Sequence, residues 1–402
     1  MTDTVGARRA ATEVLTTTGT WQPQDGVLLE VDELFVEFRT RYGVAKAING
    51  VSFDLSQGET LAILGESGSG KSVTAQAIMG ILDTPPGYVT GGEVRYCGTD
   101  ILTVSEERRR GIRGPEISMV FQDALSSLNP VFPVGWQIAE MFRVHRGMNK
   151  SDSLDRAVKL MERVQIPAAR QRVKAFPHQF SGGMRQRIMI AMAIALDPAV
   201  LIADEPTTAL DVTVQAQIMQ LLKDLQDERK MGLILITHDL GVVADVADRI
   251  AVMYAGRIIE SADVYDLYAQ PGHPYTKGLL DSIPRLDQKG ETLAAIGGLP
   301  PNLTRIPPGC PFNPRCSYVQ DICRVDPPPP LREVARHRYA ACHFSELLLT
   351  HSPELEVTQT PDAVEHDTNL HLLDAATDPE LGAEPEAVEP DEPPSTTGGR
   401  FR

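Results

Sequence analysis

The sequence GESGSGKS at residues 65–72 constrains the fold of this chain more than any other stretch. It fits the Walker A pattern G-x-x-x-x-G-K-S/T and lies between a short apolar segment, residues 60–64, and a segment with helical spacing, residues 73–79. Glycines let such a loop turn its N–H groups inward toward phosphates, and the helix N-terminus adds partial positive charge. A chance glycine-rich turn is the poorer alternative, because the match falls at a strand-to-helix junction. The order of strand, glycine loop and helix therefore predicts a phosphate site in an α/β domain.

The individual positions of this loop carry expected roles. Lys71 is expected to reach the β- and γ-phosphates, and the hydroxyl of Ser72 is expected to bind Mg²⁺. The loop residues expected to contact the nucleotide are Gly65, Ser67, Gly68, Gly70, Lys71 and Ser72.

Composition limits the remaining possibilities. The chain has 402 residues, of which 42% are hydrophobic, so it can bury a full core. The longest apolar run, residues 188–203, is interrupted by Asp197 and Pro198, and the N-terminus lacks the order of a signal peptide, so we expect a soluble, cytoplasmic chain. The net charge of −16 argues against nucleic-acid binding. Residues 345–402 hold fourteen Asp and Glu against two Arg, which accounts for −12 of that charge.

The chain divides into four predicted regions. Residues 1–26 have no sustained periodicity and are predicted to be a disordered leader. A nucleotide-binding domain is expected over residues 27–260, with alternating strand patterns at its start and a helical subdomain at about residues 122–197. A Pro-rich extension follows over residues 261–344. The acidic segment 345–402 is predicted to be a disordered tail, although the apolar residues 347–349 could pack on the domain.

A second anion site is predicted in the sequence FSGGMRQR at residues 180–187. Ser181 is placed to cap the helix that follows, and the adjacent Gly182 and Gly183 leave its first N–H groups bare. The phosphate loop at residues 65–72 does not by itself explain why the chain has a second anion site.

Acidic and polar residues end three further apolar segments. VLIADE at residues 200–205 has the form of a Walker B strand, in which Asp204 would serve the Mg²⁺ site and Glu205 would orient or deprotonate the attacking water. His238 follows the apolar segment 232–236; a lone histidine is usually structural, but one at the carboxyl end of a core strand is a credible γ-phosphate contact. Gln122 ends the buried segment 117–121.

The order of these motifs resembles that of the ATP-binding cassette (ABC) ATPases over roughly residues 28–260. The resemblance implies a P-loop cassette: a RecA-like α/β core, an antiparallel β subdomain and an inserted helical subdomain. It assigns Gln122 to the Q-loop, residues 180–184 to the signature, residues 209–211 to the D-loop and His238 to the switch position. Two cassettes of this family pair head to tail, so each signature closes the ATP site of its partner. The second anion site is explained in this way.

The same resemblance completes the expected site. The exposed aromatic Tyr42 lies where the family stacks adenine; an ordinary hairpin tyrosine is the alternative from residue type alone. The residues implied to bind nucleotide outside the loop are Tyr42, Ser181, Gly182, Gly183 and Asp211. The residues implied to act in catalysis are Lys71, Gln122, Glu205 and His238, and those implied to serve Mg²⁺ are Ser72, Gln122 and Asp204.

One departure from the family pattern is Met184, which stands where glutamine is common in the signature. Ser181 and the backbone N–H groups still supply phosphate contacts, so we expect function to survive. A regulatory module with an inactive site is a further alternative, against which the presence of Glu205 and His238 argues.

The C-terminal extension resembles that of the oligopeptide, dipeptide and nickel importer ATPases. The resemblance lies in PGHPYTKGLL at residues 271–280, GGLPP at 297–301, GCPFNPRC at 309–316 and FQDALSSLNP at 121–130. It implies an ATPase subunit of a peptide importer on the cytoplasmic face of the membrane. The implied partners are a second cassette, favoured to be a sister chain, two transmembrane permeases and an extracytoplasmic substrate-binding protein. A nickel or other small-solute importer is the nearest alternative, and a soluble cassette protein in translation or DNA repair is a more distant one.

Four of the five cysteines cluster in this extension: Cys310, Cys316, Cys323 and Cys342, with the spacing C-x5-C-x6-C-x18-C. Cys97 stands alone and is expected to pack as a small hydrophobe. Disulfides are a poor interpretation in a reducing cytoplasm, and the tight pairs typical of zinc are absent, whereas iron–sulfur clusters accept wider spacing. Zinc and unliganded thiols remain alternatives. Because some ATPases of the resembled subfamily carry a 4Fe–4S cluster at these cysteines, we expect such a cluster, with a structural role.

Overall fold

The computed structural model describes residues 26–208, 210–282 and 296–350. The predicted leader, apart from Gly26, lies outside the described residues, as do Ala209 of the predicted D-loop and the predicted tail beyond Thr350.

The strands of the described residues form two sheets. They are β1 (Val27–Thr40), β2 (Gly43–Ser56), β3 (Thr60–Leu64), β4 (Gly87–Tyr96), β5 (Thr99–Asp100), β6 (Ile117–Val120), β7 (Val200–Asp204), β8 (Gly232–Ile236), β9 (Arg249–Tyr254), β10 (Arg257–Asp263), β11 (Arg332–Ala335) and β12 (Arg338–Ala340).

The helices of the described residues surround these sheets, and none of them combines the length and the apolar character needed to cross a bilayer. They are α1 (Lys71–Met79), α2 (Glu106–Ile112), α3 (Ala124–Ser127), α4 (Val134–Arg146), α5 (Lys150–Arg163), α6 (Ala169–Arg172), α7 (Gly182–Ala193), α8 (Val212–Arg229), α9 (Leu240–Val246), α10 (Val264–Ala269), α11 (Pro274–Asp281) and α12 (Ser345–Leu349). Short 3-10 turns lie at Pro177–Gln179, Asn313–Arg315 and Asp321–Arg324.

The first sheet is antiparallel, in the order β2-β1-β4-β5. Residues of β1 alternate between buried and exposed positions over much of its length, because successive side chains of a strand point to opposite faces. A tight turn joins β1 to β2, with Thr40 paired to Gly43. The predicted antiparallel β subdomain is confirmed.

The second sheet has the order β11-β12-β10-β9-β3-β8-β7-β6. Its central strands β9, β3, β8, β7 and β6 run parallel. All five residues of β3 are buried: Ala62 and Leu64 pack in one apolar cluster, and Leu61 and Ile63 pack in the other. The sheet is therefore covered on both faces, as parallel sheets are. Because parallel strands end at the same edge, the residues that follow β3, β6, β7 and β8 meet there.

The helices α3 to α7 form the predicted helical subdomain between β6 and β7. The pattern predicts helices over residues 134–144, 151–164 and 182–196, and the structure has α4, α5 and α7 there, ending at Arg146, Arg163 and Ala193. Asn149 begins α5 by accepting a hydrogen bond from the N–H of Asp152.

The extension after residue 260 continues the main sheet, although the sequence indicates a separate region. Strand β10 crosses the predicted boundary, and β12 pairs with it, with Glu260 opposite Ala340 and Ser261 opposite Tyr339. The disordered tail is predicted to start at residue 345, and this prediction is wrong for the first residues of that segment. Helix α12 forms there, and Arg332 makes an ion pair with Glu346. Apolar residues at 347–349 let this short segment pack despite the acidic composition that follows.

Candidate active site

The phosphate loop lies between β3 and α1, as the pattern predicts. Gly65, Gly68 and Gly70 have φ angles of +153°, +79° and +108°, which L side chains rarely adopt. A Cβ atom on Gly65 would lie 2.3 Å from the carbonyl oxygen of Met253, and one on Gly70 would lie 2.7 Å from that of Ala47. The loop therefore requires glycine for its backbone angles and for close packing against neighbouring backbone.

Lys71 is buried at the start of α1, where its Nζ donates to the carbonyl oxygens of Gly65, across 2.8 Å, and Glu66, across 3.0 Å. Burial lowers the pKa of this amine, and the negative charges of Glu205 and Asp204 oppose that effect. The ammonium group thus occupies the interior of the loop, held by carbonyl groups that a phosphate could replace.

Ser72 and Asp204 bring the phosphate loop and the end of β7 together. The Ser72 Oγ donates to Asp204 Oδ1 across 2.9 Å. Burial raises the pKa of Asp204, while the hydrogen bond from Ser72 acts in the opposite direction. A hydroxyl and a carboxylate in contact are oxygen ligands of the kind that Mg²⁺ prefers.

Glu205 is contacted by side chains from two other loops and by one from its own loop. Gln122 Nε2 donates to Glu205 Oε2 across 2.8 Å, and His238 Nδ1 lies 3.4 Å from Glu205 Oε1. Thr208 Oγ1 also donates to Oε2, across 2.9 Å. The structure therefore brings together the predicted residues Gln122, Glu205 and His238. Thr208 escaped the sequence reasoning, because a threonine in a turn carries no distinctive signal.

Tyr42 lies at the turn between β1 and β2 and is 78% exposed. The guanidinium carbon of Arg41 lies 4.7 Å from the centre of its ring. An exposed aromatic face of this kind is available to a planar ligand.

The signature residues lie on a different element from the phosphate loop. Ser181 caps α7 by accepting from the N–H of Met184 across 3.4 Å, and Asp211 caps α8 by accepting from the N–H of Val214 across 3.0 Å. Gly183 packs so closely on α8 that a Cβ atom there would lie 2.6 Å from Val214 Cγ1. Ser181 and Gly182 are exposed, and within the described part of the chain no hydrogen bond joins Ser181 to the phosphate loop.

The four clustered cysteines line one small, apolar cavity together with His273, Phe312, His343 and Phe344. We call residues 296–350, which carry these cysteines, the cysteine lobe. Burial raises the pKa of Cys310 to about 11 and that of Cys316 and Cys342 to about 12. The described residues contain no group of three or more His, Cys, Asp or Glu side chains arranged around a single metal ion. Cys97 is buried apart from the lobe, in the cluster that packs under the first sheet.

Comparison with known proteins identifies both halves of this arrangement. A model described as "ABC transporter" matches residues 48–208, and one described as "Oligopeptide/dipeptide transporter, C-terminal region" matches residues 259–323. The oligopeptide transport ATP-binding protein OppD of Bacillus subtilis is 52% identical over 338 residues, which cover 84% of this chain and 92% of the relative. The dipeptide transport ATP-binding protein DppD of the same organism is 52% identical over 301 residues, which cover 75% and 90%.

Among solved structures, the bacterial ABC transporter cassette MJ0796, described as dimeric, matches with a TM-score of 0.54 and 27% identity. The match covers 59% of this chain and 99% of the cassette.

Proposed function

The chain belongs to the ABC transporter family, among the oligopeptide and dipeptide transport ATP-binding proteins, and from this premise we propose that it hydrolyses ATP to drive peptide import through partner permeases. The observation that carries the proposal is the convergence of Gln122, Thr208 and His238 on Glu205. Glu205 is the next residue in the chain after Asp204, and Asp204 contacts the phosphate loop through the hydroxyl of Ser72.

In the proposed mechanism, the loop N–H groups and the α1 N-terminus bind the phosphates, and Lys71 exchanges its two carbonyl partners for phosphate oxygens. The contacting oxygens of Ser72 and Asp204 fit Mg²⁺, with Gln122 as a further ligand from the Q-loop. When bound, the ion would neutralise charge on the β- and γ-phosphates.

Glu205 acts on the attacking water in this proposal. Its side chain is 15% exposed, so it is largely but not fully shielded from solvent. Gln122 and Thr208 hold Oε2, which leaves Oε1 for the water, next to His238. His238 would contact the γ-phosphate. These assignments explain why side chains from two other loops converge on this carboxylate.

The signature would serve a second cassette. Ser181, Gly182 and Gly183 present the exposed N-terminus of α7, and Asp211 lies at the start of the adjacent α8. Because the phosphate loop lies elsewhere in the chain, we infer head-to-tail pairing with a sister cassette. Tyr42 would stack on the adenine of the ATP that binds at its own loop.

The remaining partners follow from the family. We infer two transmembrane permeases, whose cytoplasmic segments contact the helical subdomain, and an extracytoplasmic protein that delivers the peptide. The chain would then lie on the cytoplasmic face of the membrane, and no nucleic acid is involved. Peptide rather than nickel is the proposed cargo because the relatives reported above are oligopeptide and dipeptide transport proteins.

We further propose that the cysteine lobe holds a 4Fe–4S cluster, and the chemistry of the groups around its cavity supports this. Backbone N–H groups donate to the sulfurs: that of Phe344 lies 3.4 Å from Cys342 Sγ, and those of Phe312 and Tyr318 donate to Cys310 and Cys316. The same cavity is lined by His273 and His343, whose buried Nε2 atoms have no hydrogen-bond partner. Four thiols, three of which accept backbone N–H groups, and two unpaired ring nitrogens around one cavity support a sulfur-rich group. The cluster would supply covalent cross-links between segments of the lobe.

The proposal is tested by isolating the full chain from gently solubilised native membranes and by measuring uptake of labelled peptides in cells with and without it. We expect two permeases and a second cassette to co-purify, and peptide uptake to depend on the chain, whereas nickel uptake does not. Recovery of ribosomal or repair proteins without a permease would contradict the proposal. If nickel uptake depends on the chain and peptide uptake does not, the cargo is nickel and not peptide.

A further inference from the structure

Glu66 stands at a position where the Walker A pattern allows any residue, yet each of its polar groups has a hydrogen-bond partner. Its backbone N–H donates to the Tyr275 hydroxyl across 2.9 Å. Its carbonyl oxygen accepts from Lys71 Nζ across 3.0 Å. Its carboxylate accepts two hydrogen bonds from Arg315, which is 249 residues away in the sequence. The residue that helps hold the catalytic lysine is therefore itself held by the C-terminal extension.

The contact between Arg315 and Glu66 is bidentate. Arg315 Nη1 lies 2.7 Å from Glu66 Oε2, and Nη2 lies 2.9 Å from Oε1. The Arg315 side chain is only 5% exposed and that of Glu66 is 26% exposed. Paired, charge-assisted hydrogen bonds away from bulk solvent are stronger and more directional than surface ion pairs. The orientation of the Glu66 side chain is therefore tied to the position of Arg315.

The surroundings of Arg315 fix its position. Its Nε donates to the carbonyl oxygen of Gly297 across 2.8 Å, and its guanidinium carbon lies 5.9 Å from the ring centres of both Tyr254 and Phe312. Tyr254, Tyr275 and Phe312 pack on one another, with ring centres 4.7 to 5.3 Å apart. Arg315 itself lies between Cys310 and Cys316, so its backbone position depends on the fold of the cysteine lobe.

The lobe borders the same loop at a second place, where Pro300, Pro301 and Leu303 line a small cleft together with residues 66–69. The carbonyl oxygen of Leu303 also accepts from the N–H of Lys46 in the neighbouring strand β2. Three glycines give the phosphate loop few side chains with which to hold its own shape. External contacts from the lobe therefore restrict a segment that would otherwise have many accessible conformations.

We propose that Arg315 is a positioning residue for ATP binding: by holding Glu66, it fixes the phosphate loop around Lys71 and makes nucleotide affinity depend on the fold of the cysteine lobe. The inference rests on the proposed function in that ATP is the ligand of the loop. Loss of the contact leaves the loop to be ordered by the nucleotide, which lowers affinity because ordering opposes binding. We expect Kd for ATP to rise roughly tenfold, the scale of losing one charge-assisted contact.

The experiment uses the full-length chain and a fluorescent ATP analogue with Mg²⁺. The main variant is Glu66→Ala, because it leaves every residue of the cysteine lobe unchanged. Its matched control is Glu107→Ala, which removes an exposed glutamate from α2. Arg315→Gln and the double variant Glu66→Ala with Arg315→Gln complete a double-mutant cycle. Arg305→Gln, which changes an exposed arginine of the same lobe, is the control for Arg315→Gln.

We expect Glu66→Ala to weaken nucleotide binding while the chain stays folded without nucleotide, with a lower melting temperature because the buried Arg315 cation loses its partner. The double variant should bind no more weakly than Arg315→Gln alone, because the two residues act through one contact. In the assembled transporter, KM for ATP should rise more than kcat falls.

Binding by Glu66→Ala within twofold of a wild-type chain that itself binds ATP would overturn this inference and leave the proposed function intact. A wild-type chain that binds no ATP would overturn the proposed function and this inference with it. Should Arg315→Gln fail to fold, Glu66→Ala and its control still decide the question.

Discussion

The Gln122 amide nitrogen and the Glu205 carboxylate oxygen lie 2.8 Å apart, although 83 residues separate them in the chain. Gln122 follows the end strand β6 and Glu205 follows its neighbour β7, so the parallel register places both residues at one edge of the sheet. The helical subdomain lies between them in the sequence. A movement of that subdomain would therefore act directly on the candidate catalytic carboxylate.

Replacing Glu205 by Gln should abolish most ATP turnover while leaving nucleotide binding in place. The amide preserves the shape of the side chain but cannot accept a proton from water, so we expect kcat to fall by about 10² to 10⁴. ATP-dependent dimerisation should persist because the phosphate loop and the signature are unchanged. The measurement is steady-state hydrolysis with light scattering of the ATP-bound state, and Glu107→Gln serves as the control. Full turnover by Glu205→Gln would exclude the assigned role.

Replacing Gly65 by Ala should prevent the loop from forming. The new Cβ would approach the Met253 carbonyl oxygen to 2.3 Å at a φ of +153°. Backbone strain of this kind costs on the order of 1–3 kcal/mol before the clash is counted. We expect lower stability and no measurable ATP binding.

Gly111→Ala is the matched control for that variant. Gly111 lies in α2, and a Cβ atom there would meet nothing within 4 Å. Alanine should stabilise this helix by about 0.5–1 kcal/mol, which denaturant titration would measure. Equal behaviour of the two variants would show that the Gly65 backbone is not constrained.

Replacing Tyr42 by Ala should weaken ATP binding without affecting the fold. The side chain is 78% exposed, so its loss removes little packing. Stacking of a base on an aromatic ring contributes about 1–3 kcal/mol, so Kd should rise roughly tenfold or more. Tyr42→Phe should bind as wild type does, because it keeps the ring. Equal affinities for Tyr42→Ala and wild type would identify an ordinary hairpin tyrosine.

Replacing Cys342 by Ser should remove the proposed cluster. The full chain purified without oxygen is expected to be coloured and to carry about four iron atoms, as a 4Fe–4S cluster requires. Cys342→Ser should lose iron and colour and should melt at a lower temperature. Cys97→Ser should retain both, because Cys97 packs in a different apolar cluster. A colourless wild-type protein without iron would contradict the cluster assignment.

Replacing Glu260 by Gln should change how stability depends on pH. Burial raises the pKa of Glu260 to about 7 from its ordinary value of 4.5, while the hydrogen bond from the N–H of Gly272 opposes this effect. The folded state therefore binds the proton more tightly than the unfolded chain does. The contribution of Glu260 to stability is fully present below pH 4.5 and is lost as the pH rises through 7.

Urea titrations of wild type and Glu260→Gln at pH 5 and pH 8 would measure this effect. At each pH, the difference in the free energy of unfolding between the two proteins cancels the contribution of the other titrating groups. Relative to wild type, the variant should gain roughly 2–3 kcal/mol between the two pH values. A difference that does not vary with pH would show that Glu260 titrates normally in the folded chain.

The sequence alone determined the features that depend on neighbouring residues. The glycine loop, the apolar strands that end in Asp204 or precede His238, and the helical spacing of α4, α5 and α7 are all local patterns, and the structure has each of them. Hydrophobic periodicity and glycine requirements act within a few residues, so they can be recognised without knowing the path of the chain. The same reasoning placed the start of the tail too early, because overall acidity outweighed the short apolar segment that forms α12.

Only the tertiary structure decided which distant residues meet. Strand order placed Gln122 and His238 around Glu205, and the return of β12 to β10 made the extension part of the main sheet. The contact between Arg315 and Glu66 depends on the packing of three aromatic rings and on the path of the chain across 249 residues. Such contacts leave no periodic signal in a sequence, because their free energy arises from geometry that forms only after the whole core has packed.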